Sequence, residues 1–442
     1  MEKYFSFTLL LFISLLVNGQ RIWTLDDCIK QAIKENLDLH QTITDNKIRS
    51  EELHQSQLVL LPTLNGNMTT DNSYGRSIDP SNNNIVSTQL FQSSASASSS
   101  LMLFQGFVNQ NKIQYNRLNV LKGAMEEEIQ KNDIAFKVMN SYFDYCFSRG
   151  ELKIAQDQCG LSMMNLHKIN IMVDAGIKAR IDIADMEARL ALDQFKLTQA
   201  QNNVEKAKLA LQQLLNIRDK QPFEIEDKIG LTMIEPAKMP DPDSVYDLAS
   251  KHLPQFSEMT IDTRLSRLNY AIAKGGRTPG LSAQAGYGTG YYDTYRDANG
   301  NRISFNNQLT NNAYQYLGLS LSVPVFNGWQ VNKNISIARW NLEKTNTSNE
   351  IKKRELYSEI ENACLAIKSA ADEYQSAMVQ EKASSLNLLL VNQKWEQGTG
   401  NMLELTDARN RQASARAEML RTTLQYELKL KTIQIFTESL KF

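Results

Sequence analysis

Four carboxylates stand in two matched pairs, Asp182 with Asp185 and Glu404 with Asp407. Members of each pair are three residues apart and follow a glycine, Gly176 or Gly398. Brought together in numbers, such groups raise one another's pKa and bind cations. No constellation for catalysis accompanies them. The chain has no G-x-S-x-G and no glycine-rich phosphate loop, so no catalytic residue and no cofactor is expected. Its four histidines (His40, His54, His167, His252) are scattered, and no Cys/His cluster has metal-ligand spacing, so no metal site is expected. The four cysteines (Cys28, Cys146, Cys159, Cys364) form no C-x-x-C pair. Cys146 and Cys159, if on one helix, lie about 20 Å apart, so buried unpaired thiols are expected. A formal net charge of −1 gives no field for nucleic acid.

The carboxylates belong to a longer repeat at an offset of 222 positions. Gly176, Asp182, Asp185 and Arg189 match Gly398, Glu404, Asp407 and Arg411. LFQGF at 103–107 meets VFNGW at 325–329, and Asn140, Glu151 and Ser162 recur as Asn362, Glu373 and Ser384. A register without gaps fits continuous helix, where an insertion would rotate the apolar face away. Upstream the offset falls to 217, pairing Ala32 with Ala249 and Pro62 with Pro279. Each half therefore repeats one order: helix, proline, irregular polar stretch, F-x-G turn, long helix, glycine turn with acids, long helix. Residues 1–19 read as a signal peptide, with Lys3 before a short apolar run from Phe5 to Val17. The first repeat then occupies 20–216, a proline-rich linker 217–243, and the second repeat 244–442.

Residues 329–397 contain no glycine or proline, and one helix of that length would span about 100 Å. Ile360, Ile367, Tyr374, Leu388 and Trp395 keep a seven-residue beat, as do Ile183, Leu190, Leu197, Val204 and Leu211. That is coiled-coil spacing, which a soluble bundle would also show. The first helix is expected to open at Thr24 with Asp27 three residues on, and its equivalent at Asp243-Ser244. Before each F-x-G turn the period changes to two. Leu317, Leu319, Leu321 and Val323 alternate with Gly318, Ser320 and Ser322; Phe91, Ala95, Ala97, Leu101 and Leu103 alternate with serines. Two hairpins are expected, 63–103 and 281–325, with polar loops at 75–89 and 297–312. Their strands reach the ~9–11 residues of a tilted membrane strand. Four strands cannot close a barrel, and an open edge is not tolerated in lipid, so other copies must pair the edges.

With these residues in place, the chain resembles the TolC-like outer membrane efflux proteins, trimeric channel-tunnels. LDDCIKQAIKENLDL, VPVFNG and GTGNMLELTDARNRQASA carry the resemblance, each echoed in the other half. It implies an α+β membrane protein: a trimeric 12-stranded β-barrel, four strands per chain, continuing into a long α-helical coiled-coil barrel. It also implies passive export from periplasm to exterior, a periplasmic adaptor, an inner-membrane pump, and outer membrane lipid as surroundings. Cargo would be chosen by the pump. A periplasmic coiled-coil adaptor or scaffold without channel activity is the alternative, and it needs no membrane hairpins.

Read through the resemblance, Gly176, Gly398 and Gly400 lie at helix tips near 176–182 and 398–404. Residues alone make the acids helix-start caps favoured by the dipole. The resemblance makes Glu404 and Asp407, and less directly Asp182 and Asp185, a constriction ring at the periplasmic entrance. The family's tyrosine and arginine at this entrance are replaced by Trp395 and Gly400, and the single indole donor of Trp395 is expected to meet Asp182. Phe104, Gly106, Pro324, Phe326 and Gly328 are expected to form the strand-to-helix turns, with Met102 in place of a first-half proline.

Overall fold

A computed structural model describes residues 22–78, 83–87, 89–217, 223–226 and 240–437. The expected signal peptide lies outside the described residues. The chain divides into two compact units, one built from the described parts of 1–43, 125–257 and 351–442, the other from 44–124 and 258–350. Each unit draws on both sequence repeats, because the longest helices contribute residues to both units.

The first unit is helical. A two-residue strand β1 (Ile22–Trp23) precedes α1 (Leu25–Glu35). Thr24 caps α1 as expected: its hydroxyl accepts from the Asp27 N–H at 3.1 Å, and Asp27 accepts in turn from the Thr24 N–H at 3.3 Å. Next comes α2 (Leu37–Leu58), which runs from the first unit into the second between Ile43 and Thr44. Helices α3 (Val108–Asp174) and α8 (Gln330–Glu396) both have 67 residues, and their ends differ by the repeat offset. So do the starts of the return helices α4 (Arg180–Leu214) and α9 (Met402–Thr437). The heptad positions Ile360 and Ile367 are at most 1 % exposed, and Leu211 is fully enclosed. Burying each such side chain contributes roughly 1.5–3 kcal/mol. Cys28 and Cys146 sit in the main core with Tyr142 and Leu215. All four cysteines are buried free thiols.

The proline-rich linker differs from expectation at its ends. Strand β6 (Glu224–Ile225) pairs in parallel with β1, and Phe223 packs on Trp23 at 5.8 Å between ring centroids. Helix α5 (Pro242–His252) starts inside the expected linker, capped by Asp241 rather than at Asp243-Ser244. Pro242 tolerates the first helical turn because its missing N–H would be unpaired there anyway.

The second unit holds α6 (Pro254–Gly275) and an antiparallel sheet of β2 (Thr63–Ser73), β5 (Leu90–Gln105), β7 (Gly280–Tyr292) and β8 (Tyr314–Ser322). Strand order is β2-β5-β7-β8, so the two expected hairpins lie side by side. Small strands β3 (Arg76–Ile78) and β4 (Ile85–Ser87) pair within the first loop. The second loop contains α7 (Phe305–Asn311), which the polar composition concealed. Buried Gln308 anchors it, donating to the Tyr292 carbonyl at 2.9 Å and accepting from the Tyr292 N–H at 2.9 Å.

Register gives this sheet two chemically distinct faces. Leu64 opposes Ser99 and Met68 opposes Ala95. Ala283 lies between Leu101 and Leu319, and Ala285 between Ser99 and Leu317, on the same face. The opposite face carries Ser94, Ser96, Ser98, Gly286, Gly288 and Ser320. One expectation fails here. Leu103 is not part of the apolar alternation: a bulge between Met102 and Phe104 leaves it unpaired and sets Phe104 opposite Leu281. One extra residue reverses the facing of everything after it. The last strand also stops at Ser322, short of Val323 and Pro324.

Candidate functional site

Three features of the helix tips follow from backbone chemistry. Gly176 and Gly398 have φ of +72° and +74°, the left-handed conformation in which glycine avoids the cost of a Cβ. The N–H of Ile177 returns to the Met172 carbonyl at 2.8 Å, and that of Thr399 to the Lys394 carbonyl at 3.1 Å, closing both helix ends. Gly400 has its own requirement: a Cβ there would stand 2.9 Å from the Trp395 backbone nitrogen. The missing side chain at Gly400 thus lets the chain pass close over the end of α8.

The four acids are not equivalent. Asp182 accepts from the Ala179 N–H at 3.1 Å, a cap formed from inside the helix. Glu404 holds the third position of α9, whose cap is Asn401, accepting from the Glu404 N–H at 3.0 Å. Its own carboxylate is exposed and makes no hydrogen bond or ion pair among the described residues. Asp185 is likewise exposed. Asp407 pairs with Arg411 one turn on, at 2.7 Å. Trp395 differs from expectation: the Lys178 ammonium lies 4.9 Å from its ring centroid, and Asp182 is occupied by the cap. This cation–π contact joins the two tips where a hydrogen bond was expected.

Both strand-to-helix turns use two successive left-handed residues, Gly106 with Phe107 and Gly328 with Trp329. Phe104 packs edge-on against Phe107 at 5.5 Å. Pro324, Phe326 and Gly328 are exposed, Phe326 to 86 %.

A buried polar cluster behind the tips escaped the sequence reading. Asp193, 2 % exposed, accepts from the Ser162 hydroxyl at 2.6 Å and from Arg189 Nε at 3.0 Å. Arg189 also donates to Asn410 Oδ1 at 2.5 Å, linking α4 to α9. Burial and the neighbouring Arg189 lower the pKa of Arg409, with Asp193 opposing. The available signal was a break in the repeat: Asp193 has Ala415 as its counterpart, and Arg409 has Glu187. Among the described residues no cluster of three His, Cys, Asp or Glu could hold a metal, and no helix is long and apolar enough to cross a membrane.

The family profile described as "Outer membrane efflux protein" matches residues 28–216 and 245–434. The chain belongs to that family. Outer membrane protein TolC of Escherichia coli K12 is 22 % identical over 410 residues, covering 90 % of this chain and 78 % of TolC. Among solved structures, CusC superposes with a TM-score of 0.79 at 16 % identity, covering 95 % of this chain and 92 % of that one. The Campylobacter jejuni CmeC outer membrane channel gives 0.79 at 14 % identity, covering 93 % and 85 %. The open state of the Neisseria gonorrhoeae MtrE channel gives 0.73 at 18 % identity, covering 93 % and 88 %. The protein is thus an outer membrane efflux protein.

Proposed function

We propose that three copies of this chain form a passive export duct, fed by an inner-membrane pump through a periplasmic adaptor. The observation that carries this reading is the four-stranded sheet. Among the described residues its outer strands β2 and β8 have unpaired edges, one face is largely apolar, and the other is rich in serine and glycine, with Tyr314 and Tyr316 beside Gly288 and Gly286. Unpaired edges are not tolerated in lipid, so the sheet requires neighbours. Twelve strands from three copies would close a barrel with apolar side chains toward lipid and hydroxyls toward the lumen. The matched helical hairpins would continue it as a tube of two repeats per chain. A periplasmic scaffold would have no use for such a sheet.

At the tube's periplasmic end, Glu404 and Asp407 would form a ring of six carboxylates, with Asp182 and Asp185 on the alternate hairpins. Such a ring selects cations and is blocked by multivalent ones. Single-channel conductance in a planar bilayer tests this beside an E404Q/D407N variant. The wild type should give small, cation-selective steps that multivalent cations block, and the variant should lose both properties. Pores unchanged in the variant would reduce these acids to helix caps. Folded protein that makes no pore, even with a destabilised tip, would reject the duct.

A further inference from the structure

The repeat offset maps contacts inside one chain onto contacts between copies. Behind the tips, two polar contacts join α3 and α4 of the first repeat to α9 of the second: Arg189 to Asn410 at 2.5 Å, and Asp157 to Arg416 at 2.9 Å. In a ring of alternating repeats, the second repeat of one copy must meet the first repeat of the next through the counterpart positions. Shifting by 222, Arg189 becomes Arg411 and Asn410 becomes Ala188; Asp157 becomes Val379 and Arg416 becomes Gln194. Arg409, which lies in the field of Arg189, becomes Glu187.

Resting on the trimeric duct proposed above, we infer that the seam between copies joins Arg411 of one chain to Glu187 of the next, with Phe195 as its apolar knob. Charge is complementary. Glu187 is exposed and has no ion-pair or hydrogen-bond partner among the described residues. Arg411 is exposed and, among the described residues, pairs only with Asp407. Size is complementary too. Inside the chain, Ala413, Ser414 and Ala417 of α9 leave a cleft of about 470 Å³ against Leu192 and Asp193. Their counterparts are Ala191, Leu192 and Phe195. Phe195 is 66 % exposed and Val379, which would lie beside it across the seam, is 65 % exposed. Phe195 thus stands where the intrachain seam has Ala417, and it remains uncovered in a single copy. The seam carries a consequence for the entrance. Glu187 would compete for Arg411 and release the Asp407 carboxylate toward the lumen.

Bis-maleimide cross-linking in native outer membranes tests the seam. An A188C/R411C chain should yield covalent dimers and trimers on denaturing gels, while A188C and R411C singly, and the wild type with its buried thiols, should not. Charge reversal supplies a second reading: E187K and R411E should each reduce heat-resistant trimer, and E187K/R411E should restore it. Intact trimers without cross-links, or a double reversal no better than the singles, would overturn this seam and leave the duct standing. A wild-type chain that runs as a monomer in mild detergent would instead overturn the trimer itself.

Discussion

Gly106 and Gly328 occupy the same place in the repeat and the same left-handed conformation, with φ of +57° and +60°. Their surroundings separate them. A Cβ on Gly106 would lie 1.9 Å from Thr278 Oγ1, whereas one on Gly328 would meet nothing within 4 Å. Gly328→Ala should therefore cost only the left-handed penalty, about 1–2 kcal/mol. Gly106→Ala should cost that and about 1–3 kcal/mol more for overpacking. Urea unfolding of the two variants measures the difference, and equal losses would mean Thr278 moves away freely. The glycines and the F-x-G motif were legible because a left-handed residue leaves a mark on residue type. Thr278 was not, since its role comes from another segment brought against the turn.

Strands of this sheet show how a period becomes a surface. Leu317 and Leu319 are 85 % and 72 % exposed in a single chain, an arrangement that water would not favour and that lipid accepts. Arg at a lipid-facing position near the bilayer midplane costs about 2–4 kcal/mol, and a lumen-facing position escapes that charge. Leu319→Arg should accordingly lower the yield of folded protein in outer membranes sharply, while Ser320→Arg should leave it near wild type. Quantifying heat-modifiable protein in membrane extracts distinguishes them, and equal tolerance would reverse the facing assigned here. Alternation predicted both hairpins, because side chains must alternate on any strand. It did not predict the bulge at Leu103, which is a choice between two registers settled by the partner strand. Nor did composition reveal α7, whose stability depends on Gln308 finding the Tyr292 backbone.

For the whole molecule, acidity should first strengthen and then weaken the fold. Burial raises the pKa of Glu151, Glu359 and Glu427 above their ordinary 4.5, and a nearby Asp133 adds to the effect at Glu359. At neutral pH the folded state holds these carboxylates charged in poorer surroundings than the unfolded chain offers. As pH falls through their folded values, protonation removes that penalty, so stability rises down to the unfolded value. Glu418 acts oppositely: the hydrogen bond from Arg421, above all, lowers its pKa, and its contribution is lost only below 4.5. Thermal melting of the detergent-extracted protein should therefore peak at mildly acidic pH. An E151Q/E359Q/E427Q variant should melt higher at neutral pH and lose most of the rise on acidification. A wild type that melts lower at every step below neutrality would contradict the balance.

Sequence alone determined the repeat, the long helices, the tip glycines, the two hairpins and the family. Each depends on local rules: period, capping and backbone conformation act within a few residues. Tertiary structure decided what depended on distant segments meeting. It placed Lys178 rather than Asp182 beside Trp395, made Gly400 a close backbone approach, and tied the linker's Phe223 and Ile225 to the first strand. It also buried Asp193 and Arg409 where the repeat is broken. A pattern records which face a residue takes; only packing decides which partner meets it there.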